Sequence, residues 1–233
     1  MGLLDQNFQL ASGERVTAIA KDEIPPDHLA RYEFAIECLQ DMQPESILSS
    51  LIGADIFCGA GYGAHMLAQR LPCFMIGIDG SSEAIQRAAQ HYVDLNLFFS
   101  HKYFPFHLPP SHFDFIVSME SIEHIENGDL LFKIFAQALK PSGRLIISAP
   151  NAAVVNLEKN PYPWHYRHYV RQEIIDMGHR YGLEHNRCMG AECTVVDPTT
   201  GKVVAGNYYS PTSGRLREDY CGDTLTHFFT KSA

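Results

Sequence analysis

Asp55-Ile56-Phe57-Cys58-Gly59-Ala60-Gly61-Tyr62-Gly63 joins an apolar run at 52–57, short enough for a buried strand, to a helical pattern over 61–71. Glycines at such a junction let the backbone turn sharply and approach a ligand closely. A second strand over 73–78 leads into Asp79, about 20 residues past the loop, where a carboxylate can accept both hydroxyls of a ribose. A structural turn alone would account for the glycines, but not for an acidic residue at this distance. A nicotinamide-dinucleotide domain shares the strand, the glycines and the acid. Its fingerprint is G-x-G-x-x-G, whereas here the third glycine comes one residue early. Asp55, on the first strand, has no role in that scheme either.

Outward from this loop the chain keeps a regular beat. Strands are expected over 96–100, 113–118 and 144–149, and helices over 81–94, 130–140 and 170–181, the helix over 130–140 being stopped by Pro141-Ser142-Gly143. Strands alternating with helices predict a parallel sheet with right-handed crossovers. Upstream, residues 1–26 read as a lead closed by Pro25-Pro26, and Asp27 is placed to cap a helix over 28–42. The beat fails at 150–169, where Pro161-Tyr162-Pro163-Trp164-His165-Tyr166-Arg167-His168-Tyr169 has neither a helical nor a strand period. A loop this long inside a compact domain is usually functional or disordered, and its density of rings argues against disorder. It reads as a lid, or else as an apolar flap over the core. Residues 183–233 read as a β-rich tail with a turn at 197–201. The whole is expected to form one domain over 1–233.

Composition narrows the class. The chain has 233 residues with 45% hydrophobic and 19% charged positions, as a globular chain with a full core requires. A net charge of −9 and the lack of a basic stripe point away from nucleic acid. No run approaches the roughly 18 apolar residues of a membrane helix, and the first residues carry neither a signal-peptide pattern nor a myristoylation pattern. Six cysteines without paired C-x-x-C spacing read as free thiols in a reducing, cytoplasmic setting.

Five stretches, in order, carry a resemblance: His28-Leu29-Ala30-Arg31-Tyr32-Glu33-Phe34-Ala35, Asp55 to Gly63, Ile78-Asp79, Phe113-Asp114-Phe115-Ile116-Val117-Ser118-Met119-Glu120, and Leu139-Lys140-Pro141-Ser142-Gly143-Arg144-Leu145. Over residues 26–182 the chain resembles the class I S-adenosylmethionine-dependent methyltransferases, in the branch of ubiquinone-type O-methyltransferases and bacterial glycan-pathway enzymes. The resemblance implies an α/β, Rossmann-like fold with a mostly parallel seven-stranded sheet and helices on both faces, and S-adenosylmethionine as cofactor. It assigns Asp55, Gly59, Gly61 and Gly63 to the first cofactor motif, Asp79 to the ribose, Gly80 to the cofactor site beside it, and Glu120 to the cofactor and the catalytic edge. Relatives often carry Asp-Ala after the third strand, the Asp accepting from the adenine amino group; here Ser100-His101 stands in that place. Arg31 either reaches the methionyl carboxylate or is an exposed helix charge.

Methyl transfer from a sulfonium is an in-line substitution, so the protein must align the acceptor and, for a hydroxyl, remove its proton. Glu120-Ser121-Ile122-Glu123-His124 offers two carboxylates and an imidazole at i, i+3 and i+4, on one face if the turn is helical. Three readings stand: His124 as general base, Glu120, Glu123 and His124 as ligands of a divalent ion, or a helix cap facing solvent. The E-x-x-E-H spacing is similar to that of small-RNA 3′-terminal ribose methyltransferases, where it holds a metal; His165 or His168 would then supply a later ligand, and His165 is also a catalytic candidate. Without lid closure the metal is short of ligands, which favours His124 as base. The expected activity is methylation of a small molecule, with O-methylation of a sugar or phenolic acceptor favoured over N-methylation of an amine. A non-catalytic cofactor-binding scaffold is the alternative from another class. The expected partner is a small-molecule acceptor, with no nucleic acid or membrane; the oligomeric state stays open.

Overall fold

A computed structural model of the chain describes residues 16, 21–44, 50–197, 199–204 and 215–233. Most of the N-terminal lead, and residues 205–214 of the tail, lie outside the described residues. Within them, five strands run parallel: β1 (Leu51–Ile56), β2 (Cys73–Asp79), β3 (Leu97–His101), β4 (Phe113–Ser118) and β5 (Leu139–Pro150). Three more, β6 (Leu183–Ala191), β7 (Arg217–Glu218) and β8 (Thr224–Lys231), complete an antiparallel edge. The order across the sheet is β3-β2-β1-β4-β5-β8-β6-β7. That is one strand more than expected, because the two-residue β7 pairs with Met189 and Gly190.

Five α-helices cover the two faces: α1 (Pro26–Leu39), α2 (Tyr62–Arg70), α3 (Ser82–His91), α4 (Gly128–Ala138) and α5 (Arg171–Arg180). One core cluster joins α1, α2 and α3 to the sheet through Tyr32, Leu39, Leu67 and Ala88. The other seats α4 and α5 through Leu131, Phe132, Phe135, Ile174 and Met177. Starts follow local chemistry. Ser81 accepts from Ala84 N–H at 3.1 Å and Asn127 from Leu130 N–H at 3.0 Å, satisfying backbone donors that a first turn leaves open.

Two expectations are corrected. Asp27 does not cap α1: Pro26 takes the first helical position, where its missing N–H costs nothing, and the Asp27 carboxylate pairs along the helix instead. Helix α4 ends at Ala138, and β5 runs from Leu139 through Pro141 with an irregular register opposite Phe113 and Phe115. Pro141 fits because the strand slips there, so the missing donor breaks no regular ladder.

Strand order reverses between β1 and β4. In open α/β sheets the carboxyl ends of the strands flanking such a reversal form a crevice, and ligands bind there. The glycine loop follows β1, Asp79 ends β2, and Glu120 to His124 follow β4.

Candidate active site

The glycine loop is held by its own donors and a buried acid. Phe57 and Cys58 both donate their N–H groups to the Ile78 carbonyl, at 2.7 and 3.0 Å. Gly61 stands at φ +88°, and a Cβ there would lie 2.7 Å from the Ala88 Cβ, so both backbone and space require glycine. Gly63 lies beneath the Tyr32 ring, whose Cζ would be 1.9 Å from an added Cβ. That contact lets the Tyr32 hydroxyl reach Asp55, donating to its two oxygens at 3.2 and 3.1 Å. Burial pushes the Asp55 carboxyl up to about 8, against the opposing hydrogen bonds from the Tyr32 hydroxyl and the Ala64 N–H. Asp55 is therefore a buried brace at the root of the loop. Phe57 was not singled out by sequence, yet it sits at φ +64°, with its ring 5.8 Å from Phe106 and 6.3 Å from Phe104.

Asp79 is brought against the loop as its spacing implied. Its Oδ2 accepts from Gly59 N–H at 2.9 Å and its Oδ1 from Ser81 N–H at 2.8 Å, leaving the residue 3% exposed. Next to it, His101 Nε2 lies 2.9 Å from the Gly80 carbonyl, and His101 and Asp79 are register partners across β2 and β3. Ser100 stands one step back, opposite Ile78.

Helix α1 roofs the crevice. Arg31 is only 2% exposed, which disposes of the surface-charge reading. Its guanidinium lies 3.2 Å from Asp27 Oδ2, one turn earlier, and Nη1 lies 3.9 Å from Cys193 Sγ. Burial weighs against its charge, but Glu120 and Asp27 more than offset this and hold the group firmly protonated. Arg31 Nε and Asp27 Oδ1 are buried without a hydrogen-bond partner, an arrangement that costs free energy unless a ligand completes it.

Glu120 follows β4 at φ +46°, in the left-handed region. Ser148, fully buried on β5, clasps it there: its Oγ accepts from Glu120 N–H at 3.0 Å and donates to Glu120 Oε1 at 2.7 Å. Desolvation raises the Glu120 carboxyl above the ordinary carboxylate range, and Arg31 opposes that rise. The kink also corrects the single-face expectation. Only Ile122–His124 are helical, as one 3-10 turn, so the Glu120 side chain turns to Ser148 while Glu123 and His124 face the lid.

The lid docks on that turn. Tyr166 N–H donates to the Glu123 carbonyl at 2.8 Å, and His124 Nδ1 lies 3.0 Å from the Trp164 carbonyl. His165 thereby meets His124 edge to face, with ring centroids 4.8 Å apart. One ligand atom from each of Glu123, His124 and His165 lies within 4.8 Å of the others, forming the cluster suited to a metal ion among the described residues. Glu120 is not part of it. Glu123 is 1% exposed, so the solvent-facing cap reading does not hold for it. His168 lies behind His165, their Nε2 and Nδ1 atoms 2.6 Å apart. At its base the lid closes through a bridge between Asn151 and Tyr169 and through the Asn151 amide, which donates to the Gly222 carbonyl at 2.8 Å. Sequence reasoning passed over Asp27 as a partner of Arg31, although the i, i+4 spacing was legible. It had no signal for Tyr32 or Ser148.

A family model described as a methyltransferase domain matches residues 50–186. Phosphoethanolamine N-methyltransferase 1 of Arabidopsis thaliana is 32% identical over 97 residues, covering 40% of this chain and 20% of that enzyme. A ubiquinone biosynthesis O-methyltransferase of Bradyrhizobium diazoefficiens is 32% identical over 106 residues, covering 45% of this chain and 42% of that enzyme. The chain thus spans less than half the length of either relative. Among solved structures, a chain of the complex between the Haloferax volcanii Trm112 methyltransferase activator and a methyltransferase superposes with a TM-score of 0.66 at 16% identity, over 89% of this chain and 90% of that one. An S-adenosylmethionine-dependent methyltransferase of Mesorhizobium loti superposes with a TM-score of 0.62 at 16% identity, over 86% and 98%. The glycine loop after β1, the acid ending β2 and the reversed strand order agree with the matched family, and the chain belongs to the class I S-adenosylmethionine-dependent methyltransferase family.

Proposed function

We propose that this chain transfers the methyl group of S-adenosylmethionine to a hydroxyl oxygen of a small molecule, with a divalent cation held by Glu123, His124 and His165. The observation that carries this reading is the convergence of those three side chains at the carboxyl end of β4. For the cofactor, Asp79 beside the glycine loop suits the ribose, His101 and Gly80 edge the adenine side, and the buried Arg31 Nε and Asp27 Oδ1 suit the methionyl carboxylate and ammonium. The bound cofactor supplies an electrophilic methyl group, and an in-line attack needs alignment more than covalent help. One carboxylate and two imidazoles form a donor set that suits a transition-metal ion such as Co²⁺ or Zn²⁺ better than Mg²⁺. A bound cation lowers the pKa of an acceptor hydroxyl. The chain's own part is to aim these ligands: the Trp164 carbonyl can only accept, so His124 donates from Nδ1 and keeps its lone pair on Nε2. His124 as base was favoured when no further ligand was in place; with the lid docked, His165 fills that gap.

N-methylation is the second reading, supported by the plant relatives, which are named for a phosphoethanolamine nitrogen. The two part on one assay: release of S-adenosylhomocysteine against sugars, phenols and amines, with chelator and with Co²⁺ or Mn²⁺ restored. O-methylation at a cation site predicts turnover of a hydroxyl acceptor that chelator abolishes and metal restores. Turnover of amines alone, indifferent to chelator, contradicts it.

A further inference from the structure

His168 is buried, three residues after His165, and meets it through a ring-nitrogen contact. Its two ring nitrogens have different neighbours. Nδ1 lies 2.6 Å from the Val155 carbonyl, and Nε2 lies 2.6 Å from His165 Nδ1. A backbone carbonyl has no proton to give, so His168 must donate from Nδ1. A neutral imidazole that donates from one nitrogen accepts at the other, so His168 Nε2 takes its proton from His165 Nδ1–H. His165 then carries its lone pair on Nε2, the form in which an imidazole ligates a metal. The chain of bonds runs from one part of the lid, at Val155, to another, at His165, so the same bonds that set the tautomer tie the lid to itself.

We infer that His168 is a positioning residue that fixes His165 as its Nδ1–H tautomer and holds that ring against Glu123 and His124. The inference rests on the cation reading of this site. It adds a residue that ligates nothing, and it explains why two histidines stand three apart in the lid. It also separates the two candidates for the later ligand: His165 faces the cluster, and His168 stands behind it. Partners one step behind a metal ligand commonly set ring orientation and basicity, and removing them costs about 10–100-fold in metal affinity.

The test has two arms on the full chain. In the wild-type protein, long-range ¹⁵N correlation spectra report the tautomer of His165 directly, without metal. The inference expects a protonated Nδ1 and an unprotonated Nε2; a His165 protonated at Nε2 overturns it. In the second arm, Co²⁺ is titrated and its visible absorption recorded. His168→Leu should weaken Co²⁺ binding by about 10–100-fold. His168→Gln, whose amide can accept from His165 and donate to Val155, should restore most of it. S-Adenosylhomocysteine affinity should be unchanged in both variants, since nothing near Asp79 is touched. Equal Co²⁺ affinity in wild type and His168→Leu overturns the role of His168 alone. Failure of the wild type to bind Co²⁺ instead overturns the cation site and this inference with it.

Discussion

The Asp79 carboxylate takes N–H groups from Gly59 and Ser81, and the proposed function also gives it the two ribose hydroxyls of the cofactor. Asp79→Ala should weaken S-adenosylhomocysteine binding by roughly 2–3 kcal/mol, because hydrogen bonds to an ionised acceptor are the strong ones. The melting temperature should also fall, since two backbone donors, that of Ser81 buried, lose their partner; calorimetric titration and a thermal melt read the two effects. An unchanged affinity would mean that the ribose lies elsewhere. Ser148 offers a second residue-scale check. Ser148→Ala removes both bonds that hold Glu120 in its left-handed backbone, and should cost about 1–3 kcal/mol of stability on a denaturant melt. Asp79 was legible in sequence because spacing from a glycine loop is a one-dimensional signal. Glu120 was legible as a residue but not as a direction, since nothing in E-x-x-E-H announces a kink at φ +46°. Ser148 was not legible at all, because its partner lies 28 residues away.

The lid was recognised by failure: a stretch of rings and prolines that fits neither helical nor strand period. Its docking could not be foreseen, because the bonds that hold it run from Tyr166 N–H and the Trp164 carbonyl, which every residue type shares. Helix and strand positions were readable for the parallel half of the sheet, where apolar runs and glycines alternate. The antiparallel half was readable only as β-rich, and β7 is two residues long. Trp164 is the single tryptophan of the chain and sits in the lid, so its emission reports docking. Tyr166→Pro deletes the donor to Glu123. It should red-shift that emission and open 151–169 to proteolysis, while S-adenosylhomocysteine affinity holds. A blue-edge spectrum and full protease resistance in the variant would show that the lid is held by other means.

For the molecule as a whole, buried ionisable groups set how stability follows pH. Asp55, ordinarily 3.8, is raised by burial to about 8, so the folded chain keeps a proton that the unfolded chain releases. Its contribution is full below 3.8 and is lost as pH rises to 8. Burial lowers His28 and His227 from 6.5 to about 3, so the unfolded chain takes up protons that the folded one refuses. Their contribution is full above 6.5 and is lost as pH falls toward 3. Between 3.8 and 6.5 two imidazoles oppose one carboxylate, and these groups raise stability with pH by up to about 1.4 kcal/mol per unit. Above 6.5, of these three groups only Asp55 is left, and its contribution falls. Thermal melts of the ligand-free protein should peak near pH 6.5, and Asp55→Asn should flatten the decline toward 8. A melting temperature still climbing above pH 7 would contradict the burial of Asp55 as a neutral acid.

Whether the crevice between β1 and β4 takes the adenosyl cofactor is the claim on which the rest depends. Isothermal titration tests it most directly. The account predicts that S-adenosylmethionine and S-adenosylhomocysteine bind at micromolar affinity, about 8 kcal/mol, that Asp79→Ala weakens both, and that NAD gives no heat. Tight NAD binding with no response to S-adenosylhomocysteine would contradict it.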